Sequence, residues 1–415
     1  MTGAVRLALV ALTIWSAACG AKTGLYADDG GAPNQLDAPM DTGPMPPCIE
    51  VPFEGESVEL DLEISAIVGR ADITFLIDQT ASMGDEIDRI RSRLRDQIAP
   101  AIQEAIPDSQ LAVATFADFP VEPYGARSDT PFELRLPMSD ELAAVQAAVN
   151  SIELSDGRDV PESLIEGLYQ LATGEGIRPY VDPSAGCSRG GEGYACTRPD
   201  SLPVILAFTD NASHNGPRGA NPYLNFPPGP APHTYNQAIE ELARNGTVVI
   251  GFDSGGGSGG AHLRAIARDT GAVADGQPLV YDIGSRGERL GTSVVDAIQT
   301  LASTVIQDVD AQFFDPAPGD GVPILEIVEG IVPLSASPMS GIDRIDLERG
   351  AFIGARAGTV LRWRVELRND AVMPGPTPQR FTVEVRFRGD ARRFIERVLV
   401  DIVIPSVDGL GCEAL

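Results

Sequence analysis

Asp72-Ile73-Thr74-Phe75-Leu76-Ile77-Asp78-Gln79-Thr80-Ala81-Ser82-Met83 reads as a buried strand that runs straight into a polar turn. The first half is a short, largely apolar run, as in a strand covered on both faces. The second half carries a carboxylate and two hydroxyls at i, i+2 and i+4. Asp85 to Ile106 then places apolar residues at 87, 90, 94, 98, 102 and 106, the stripe of a helix.

The same alternation continues downstream. Leu111–Phe116, Phe132–Leu136, Leu202–Phe208 and Thr247–Phe252 read as strands. Helical patterns fall at 139–150, 161–173, 234–244, 261–269 and 288–308, with Pro161 placed at a first helical position. Buried strands alternating with amphipathic helices predict a doubly wound, Rossmann-like α/β domain over residues 71–309. Ligands of such folds bind at the carboxyl ends of the strands.

Residues 310–415 change character. Val360–Leu367 and Phe381–Phe387 alternate apolar and polar, and Val398–Ile404 follows with Pro/Gly-rich turns between, which predicts an all-β sandwich. Ser57–Ile64 alternates in the same way. Segment 48–70 is therefore expected to join that sandwich, with the α/β domain inserted in it; an α/β domain simply followed by the sandwich is the alternative.

The N-terminus carries an export signal. Arg6 precedes the apolar run Leu7–Trp15, too short for a spanning helix of ~20 residues. Ser16-Ala17-Ala18-Cys19 is similar to a bacterial lipobox, although it lacks the usual Leu, and makes Cys19 the lipidation site; ordinary cleavage near Ala18 is the alternative. Either way the protein is exported, and the lipobox places it on a bacterial membrane, at the outer membrane or cell surface. Residues 20–47, rich in Gly, Pro and Asp, read as a disordered tether.

With Cys19 lipidated, four cysteines remain, and four allow three connectivities. Cys187 and Cys196 bracket a short Gly-rich loop that suits a local bridge, which leaves Cys48 for Cys412. A zinc site is the rival, but no His-Cys cluster has ligand spacing. The net charge of −28 excludes DNA, RNA and anionic lipid as favoured partners. Membrane contact is expected only through the lipid anchor.

Asp78, Thr80 and Ser82 on one strand-to-helix turn can converge on a hard cation such as Mg2+, Mn2+ or Ca2+. Taken alone, the turn also reads as a helix cap. Two further acids reach the same predicted rim: Asp210 in Thr209-Asp210 after the 202–208 strand, and Glu162 in Asp159-Val160-Pro161-Glu162.

These motifs resemble the metal-ion-dependent adhesion site of von Willebrand factor type A domains, and most closely the I-like domain of integrin β subunits. The resemblance rests on Asp78-x-Thr80-x-Ser82, Phe116-Ala117-Asp118-Phe119-Pro120-Val121-Glu122-Pro123-Tyr124, Asp159-Val160-Pro161-Glu162, and Thr209-Asp210 with His214, in order over residues 70–308. It implies a central Mg2+ (or Mn2+) held by Asp78, Thr80, Ser82, Glu162 and Asp210. It implies one flanking Ca2+ at Asp85 and Glu86, which otherwise read as acids favoured at a helix N-terminus. It implies a second at Asp118, Asp159, the Pro161 carbonyl and Glu162. Gly157 stands where that family has Asn, and Thr80 where it has Ser.

The other motifs read more simply. Ser254–Gly260 lacks the Lys of a phosphate loop. His214, His233 and His262 have no nucleophile motif beside them. Arg388-Gly389-Asp390 reads as a hairpin turn, and the 175–233 insertion as decoration of the ligand-binding face. The sequence therefore predicts a binding protein and not an enzyme: a surface lipoprotein taking a protein ligand that presents an acidic residue to the metal. A metal-dependent hydrolase and a structural protein with a stabilising metal are the alternatives.

Overall fold

The computed structural model describes residues 48–414 apart from 188–189, 256 and 320–321. The export signal, Cys19 and the 20–47 tether lie outside the described residues. The chain enters as β1 (Cys48–Glu50) and β2 (Val58–Ser65), then reaches β3 (Arg70–Asp78). There follow α1 (Gly84–Arg93), α2 (Ala99–Ala105), β4 (Asp108–Phe116), β5 (Glu133–Ser139), α3 (Leu142–Asn150) and α4 (Leu164–Thr173). β6 (Leu202–Thr209), α5 (Tyr235–Arg244), β7 (Val248–Asp253) and α6 (Ser258–Asp269) come next. A two-residue ladder of β8 (Val273–Ala274) and β9 (Gln277–Pro278), then β10 (Val280–Asp282) and α7 (Leu290–Thr304), complete this part.

Strands β10-β7-β6-β3-β4-β5 form one six-stranded sheet, parallel except for the antiparallel edge β5. Both faces are buried, which is why β3 reads as a continuous apolar run. Ile73, Phe75 and Ile77 pack with Ile87, Ile90 and Leu94 of the first helical run and with Val294 and Ile298 of α7. Leu76, on the other face, packs with Leu168 of α4, Leu242 of α5 and Ile266 of α6.

Three sequence expectations need correction here. The 85–106 helix is not uniform, because Leu94–Ile98 forms a π turn between α1 and α2. Apolar residues spaced four apart drift off a 3.6-residue period, and the wider turn, placed just ahead of Pro100, keeps Leu94, Ile98 and Ile102 buried. The 161–173 helix begins only at Leu164, since the backbone at Glu162 is bridged to Ser213 instead. The 288–308 helix ends at Thr304, and Ile306–Phe314 is a strand, β11.

The remaining strands are β12 (Val328–Ser337), β13 (Arg344–Asp346), β14 (Ala351–Arg356), β15 (Val360–Leu367), β16 (Gln379–Gly389) and β17 (Arg393–Ile404). They build a six-stranded sheet, β1-β17-β16-β11-β14-β13, and a three-stranded one, β12-β15-β2. The two share a core that includes Trp363, Phe352 and Phe387. β2 lies antiparallel to β15, from Val58 opposite Leu367 to Ser65 opposite Val360, and β1 runs parallel to β17. The segment preceding the α/β sheet thus supplies a strand to each of these sheets.

Disulfides join Cys48 to Cys412 and Cys187 to Cys196. Arg388-Gly389-Asp390 is consumed structurally: Arg388 pairs with Asp310, and Asp390 Oδ1 accepts the Asp308 amide. Among the described residues no helix is long and apolar enough to cross a membrane.

Candidate metal centre

β6, β3 and β4 are adjacent and parallel, so their carboxyl ends deliver Asp210, Asp78 and Asp118 to one edge of the sheet. Asp78, fully buried, is the hub. Its Oδ1 accepts the Thr80 amide at 2.9 Å and the Thr80 hydroxyl at 2.6 Å, and its Oδ2 accepts the Thr209 hydroxyl at 2.8 Å. Thr80 Oγ1 lies 3.2 Å from Ser82 Oγ. Thr80 makes no side-chain cap bond to the helical turn that follows, so these side chains face one another rather than the helix end.

Glu162 is fixed by its backbone. Its amide donates to the Ala212 carbonyl and its carbonyl accepts from the His214 amide, tying it to the loop after β6. A methyl group added at Gly157 would lie 3.8 Å from both Glu162 Oε1 and Thr80 Cγ2, so the Asp-x-Pro-Glu segment and the β3 turn face each other there.

Burial, then repulsion from Asp210, pushes Asp78 up to about 7 against the hydrogen bonds from Thr80 and Thr209. Burial followed by the charges of Asp78, Asp118, Asp159 and Asp129 pushes Glu162 up to about 11. Glu86 is buried, its carboxyl is raised by burial, and its Oε2 has no hydrogen-bond partner. Among the described residues none of Asp78, Glu86, Glu162 and Asp210 is ion-paired with an arginine. Buried, uncompensated carboxylates with two hydroxyls are a hard-oxygen donor set that fits a divalent cation.

The other expected residues divide. Asp210 is half-buried and accepts from Asn211 Nδ2 at 2.8 Å. Asp85 points outward, 65% exposed and 3.8 Å from Arg286, unlike its neighbour Glu86. Pro161 is half-buried between Asp159 and Glu162.

Asp118 and Asp159 converge on a residue the sequence reading quoted but did not count as a ligand, His214. Among the described residues these three form the one group of His, Cys, Asp or Glu whose ligand atoms all lie within 4.8 Å of one another. Burial, with help from Asp159 and Asp129, pushes Asp118 up to about 8. Aromatic rings wall the group: Tyr223 stacks on His214 at 4.2 Å, and Tyr124 meets it edge-on at 5.0 Å. Only the position of His214 after Thr209-Asp210 hinted at its place. Nothing in the sequence pointed to Asp129 or to the Tyr223 hydroxyl, which donates to Asp118.

No family model and no curated protein matches the sequence. Among solved structures the chain is similar to a von Willebrand factor type A protein from Catenulispora acidiphila, at 12% identity over 86% of this chain and 72% of that one, with a TM-score of 0.37. It is also similar to the pilus adhesin SpaC from Lactobacillus rhamnosus GG, at 12% identity, 85% and 45% coverage and a TM-score of 0.33. A third likeness is to proximal thread matrix protein 1 from the mussel byssus, at 16% identity, 59% and 48% coverage and a TM-score of 0.33. The chain spans less than half the length of the last two. At these scores the likenesses carry no weight for function.

Proposed function

We propose that this protein is an exported surface lipoprotein that binds a protein ligand through a divalent cation, Mg2+ or Mn2+, held at the carboxyl rim of its parallel sheet. The holding residues are Asp78, Thr80, Ser82, Glu162 and Asp210, in the manner of a type A domain inserted in a β-sandwich. The observation that carries this reading is the pair of buried acids, Asp78 and Glu162, on a rim with the Thr80 and Ser82 hydroxyls, neither acid ion-paired with an arginine among the described residues. A partner's Asp or Glu would complete the cation's shell, since such ions take six or more oxygens and the chain offers few.

A binding role is favoured over hydrolysis by how the histidines are held. His214 is enclosed by Asp118 and Asp159, His233 lies against Glu166, and His262 Nδ1 accepts the Ser213 amide. Among the described residues none of the three is hydrogen-bonded to a serine hydroxyl or a cysteine thiol as a nucleophile would be. Two disulfides suit an oxidising compartment outside the cytoplasm. Pull-down of surface proteins on the full chain, with MgCl2 and with EDTA, tests the reading. Capture that is unchanged by EDTA would overturn it.

A further inference from the structure

We propose that Asp118, Asp159 and His214 form a second metal site that takes a first-row transition cation, zinc foremost, rather than the calcium expected at that flanking position. The inference is separate from the central-site reading and does not depend on it.

The imidazole is oriented for a ligand. His214 Nδ1 lies 2.9 Å from the Asn221 carbonyl oxygen, which only accepts, so Nδ1 carries the proton. Nε2 then points between two carboxylates, 3.1 Å from Asp159 Oδ2 and 3.3 Å from Asp118 Oδ2. With no metal present Nε2 carries a proton and donates it to Asp159 Oδ2; a metal ion in that place would displace the proton and take the nitrogen together with both carboxylates. A backbone carbonyl accepting from one ring nitrogen is the usual partner of a histidine that binds metal through the other.

The carboxylates are arranged to match. Asp118 Oδ1 is already committed, accepting the Phe119 amide and the Tyr223 hydroxyl, each at 2.6 Å. Its Oδ2 is buried and makes no hydrogen bond, and neither does Asp159 Oδ1. Asp118 is itself only 1% exposed, so water cannot readily satisfy it. Ligands at about 2.05 Å from a tetrahedral zinc stand roughly 3.3 Å apart, close to the 3.3 and 3.1 Å that separate His214 Nε2 from Asp118 Oδ2 and Asp159 Oδ2.

Donor chemistry selects the ion. Calcium and magnesium take oxygen ligands, whereas imidazole suits zinc, nickel, copper and iron. Gly157 offers no side-chain oxygen here, and His214 offers a nitrogen. The rings of Tyr124 and Tyr223 restrict solvent around that nitrogen, which further suits a partly dehydrated ion.

The test is titration of the full-length protein with ZnCl2, CoCl2 and CaCl2 by calorimetry, with Co2+ binding also followed by visible absorption. Zn2+ should bind at one site that CaCl2 does not displace at equal concentration. Bound Co2+ should show the intense visible bands of a low-coordinate, nitrogen-containing site. His214→Gln should weaken Zn2+ by more than about tenfold while leaving Mg2+ uptake at the central site intact. Asp78→Ala should do the reverse, so failure of one site is distinguishable from failure of the other. Should His214→Gln fail to fold, X-ray absorption of Zn2+-loaded wild type must show one imidazole in the first shell. Wild-type Zn2+ affinity in folded His214→Gln, displacement by Ca2+, a shell without imidazole, or no Zn2+ binding at all would each overturn the proposal. The last result would leave a proton on Nε2 as the cation between the two acids.

Discussion

Thr209 donates its hydroxyl to Asp78 Oδ2 at 2.8 Å, linking the ends of β6 and β3 across 131 residues of chain. With Thr80 on the other oxygen, the Asp78 carboxylate is held in one orientation before any ion arrives. Preorganisation of this kind predicts a graded response. Asp78→Ala and Asp210→Ala should abolish Mg2+ or Mn2+ binding in calorimetry while far-ultraviolet circular dichroism stays unchanged. Thr209→Val, which removes only the orienting bond, should weaken it roughly tenfold. Normal binding by both alanine variants would show that the ion sits elsewhere.

The same burial makes stability depend on pH in an unusual direction. Asp78 titrates near 3.8 when unfolded and near 7 when folded, so between those values the native state holds more protons. Stability then falls as pH rises through that window, by about 1.4 kcal/mol per unit for one such group, and levels off above it. Glu162, raised from 4.5 to about 11, extends the decline upward. Urea unfolding in EDTA should therefore show lower stability at pH 8 than at pH 5. MgCl2 should restore most of the difference, because the ion replaces the missing counter-charge. A metal-free protein that gains stability over this range would contradict the assignment of these acids as buried and unpaired.

At the opposite end of the sheet, Asp72 is fully buried and bound by Arg198 through Nε at 2.8 Å and Nη2 at 2.5 Å. Arg198 also reaches Asp108, which pairs with Arg70. Arg198→Ala strands the Asp72 charge and should cost roughly 3–5 kcal/mol in urea unfolding. Asp72→Asn added to Arg198→Met should recover part of that loss, since neither partner then carries an unpaired buried charge. A single variant within about 1 kcal/mol of wild type would show that Asp72 is satisfied by other groups.

Cys48 and Cys412 are bonded across a sequence separation of 364. In the chain-entropy model a loop of that size limits the unfolded ensemble by about 6 kcal/mol, an upper figure because native strain and residual structure reduce it. Cys48→Ser with Cys412→Ser should lower the thermal midpoint by several degrees without losing the β2–β15 pairing. Cys187→Ser with Cys196→Ser removes a bond across a sequence separation of only 9 and should matter less. Free thiols at 48 and 412 in the native protein would remove this contribution altogether.

The α/β elements were legible because burial on both faces of β3, β6 and β7 leaves continuous apolar runs, and period decides the helices between them. Where the period is ambiguous the sequence misled. Leu94 and Ile98 fit any helical stripe, so the π turn they begin and end has no signature of its own. Ile306–Phe314 continues α7 in composition, but Gln307 and Val309 are buried in alternation, a strand pattern hidden by the helix before it. In the candidate site, Asp78, Thr80 and Ser82 stand close in the chain and could be read together. His214 could not be joined to Asp118 and Asp159, because their meeting depends on the path of the loop after β6. Tyr223 and Asp129 belong to loops whose conformation carries no local pattern.

The last prediction concerns the partner. Asp78, Glu162 and Asp210 share one rim in a chain with a net charge of −28. An acidic partner would be repelled by that surface unless a cation stood between. Binding through a carboxylate therefore requires the ion, and removing it should abolish the complex. Surface plasmon resonance with a captured partner should lose its signal in EDTA and regain it with MgCl2 or MnCl2. Thr80→Ala, which deletes one oxygen while keeping every acid, should lower affinity without changing the charge. Replacing the partner's contacting Asp by Asn should lower it as well. Binding that survives both EDTA and Asp78→Ala would place the interface away from this rim, and any ion bound there would then serve stability alone.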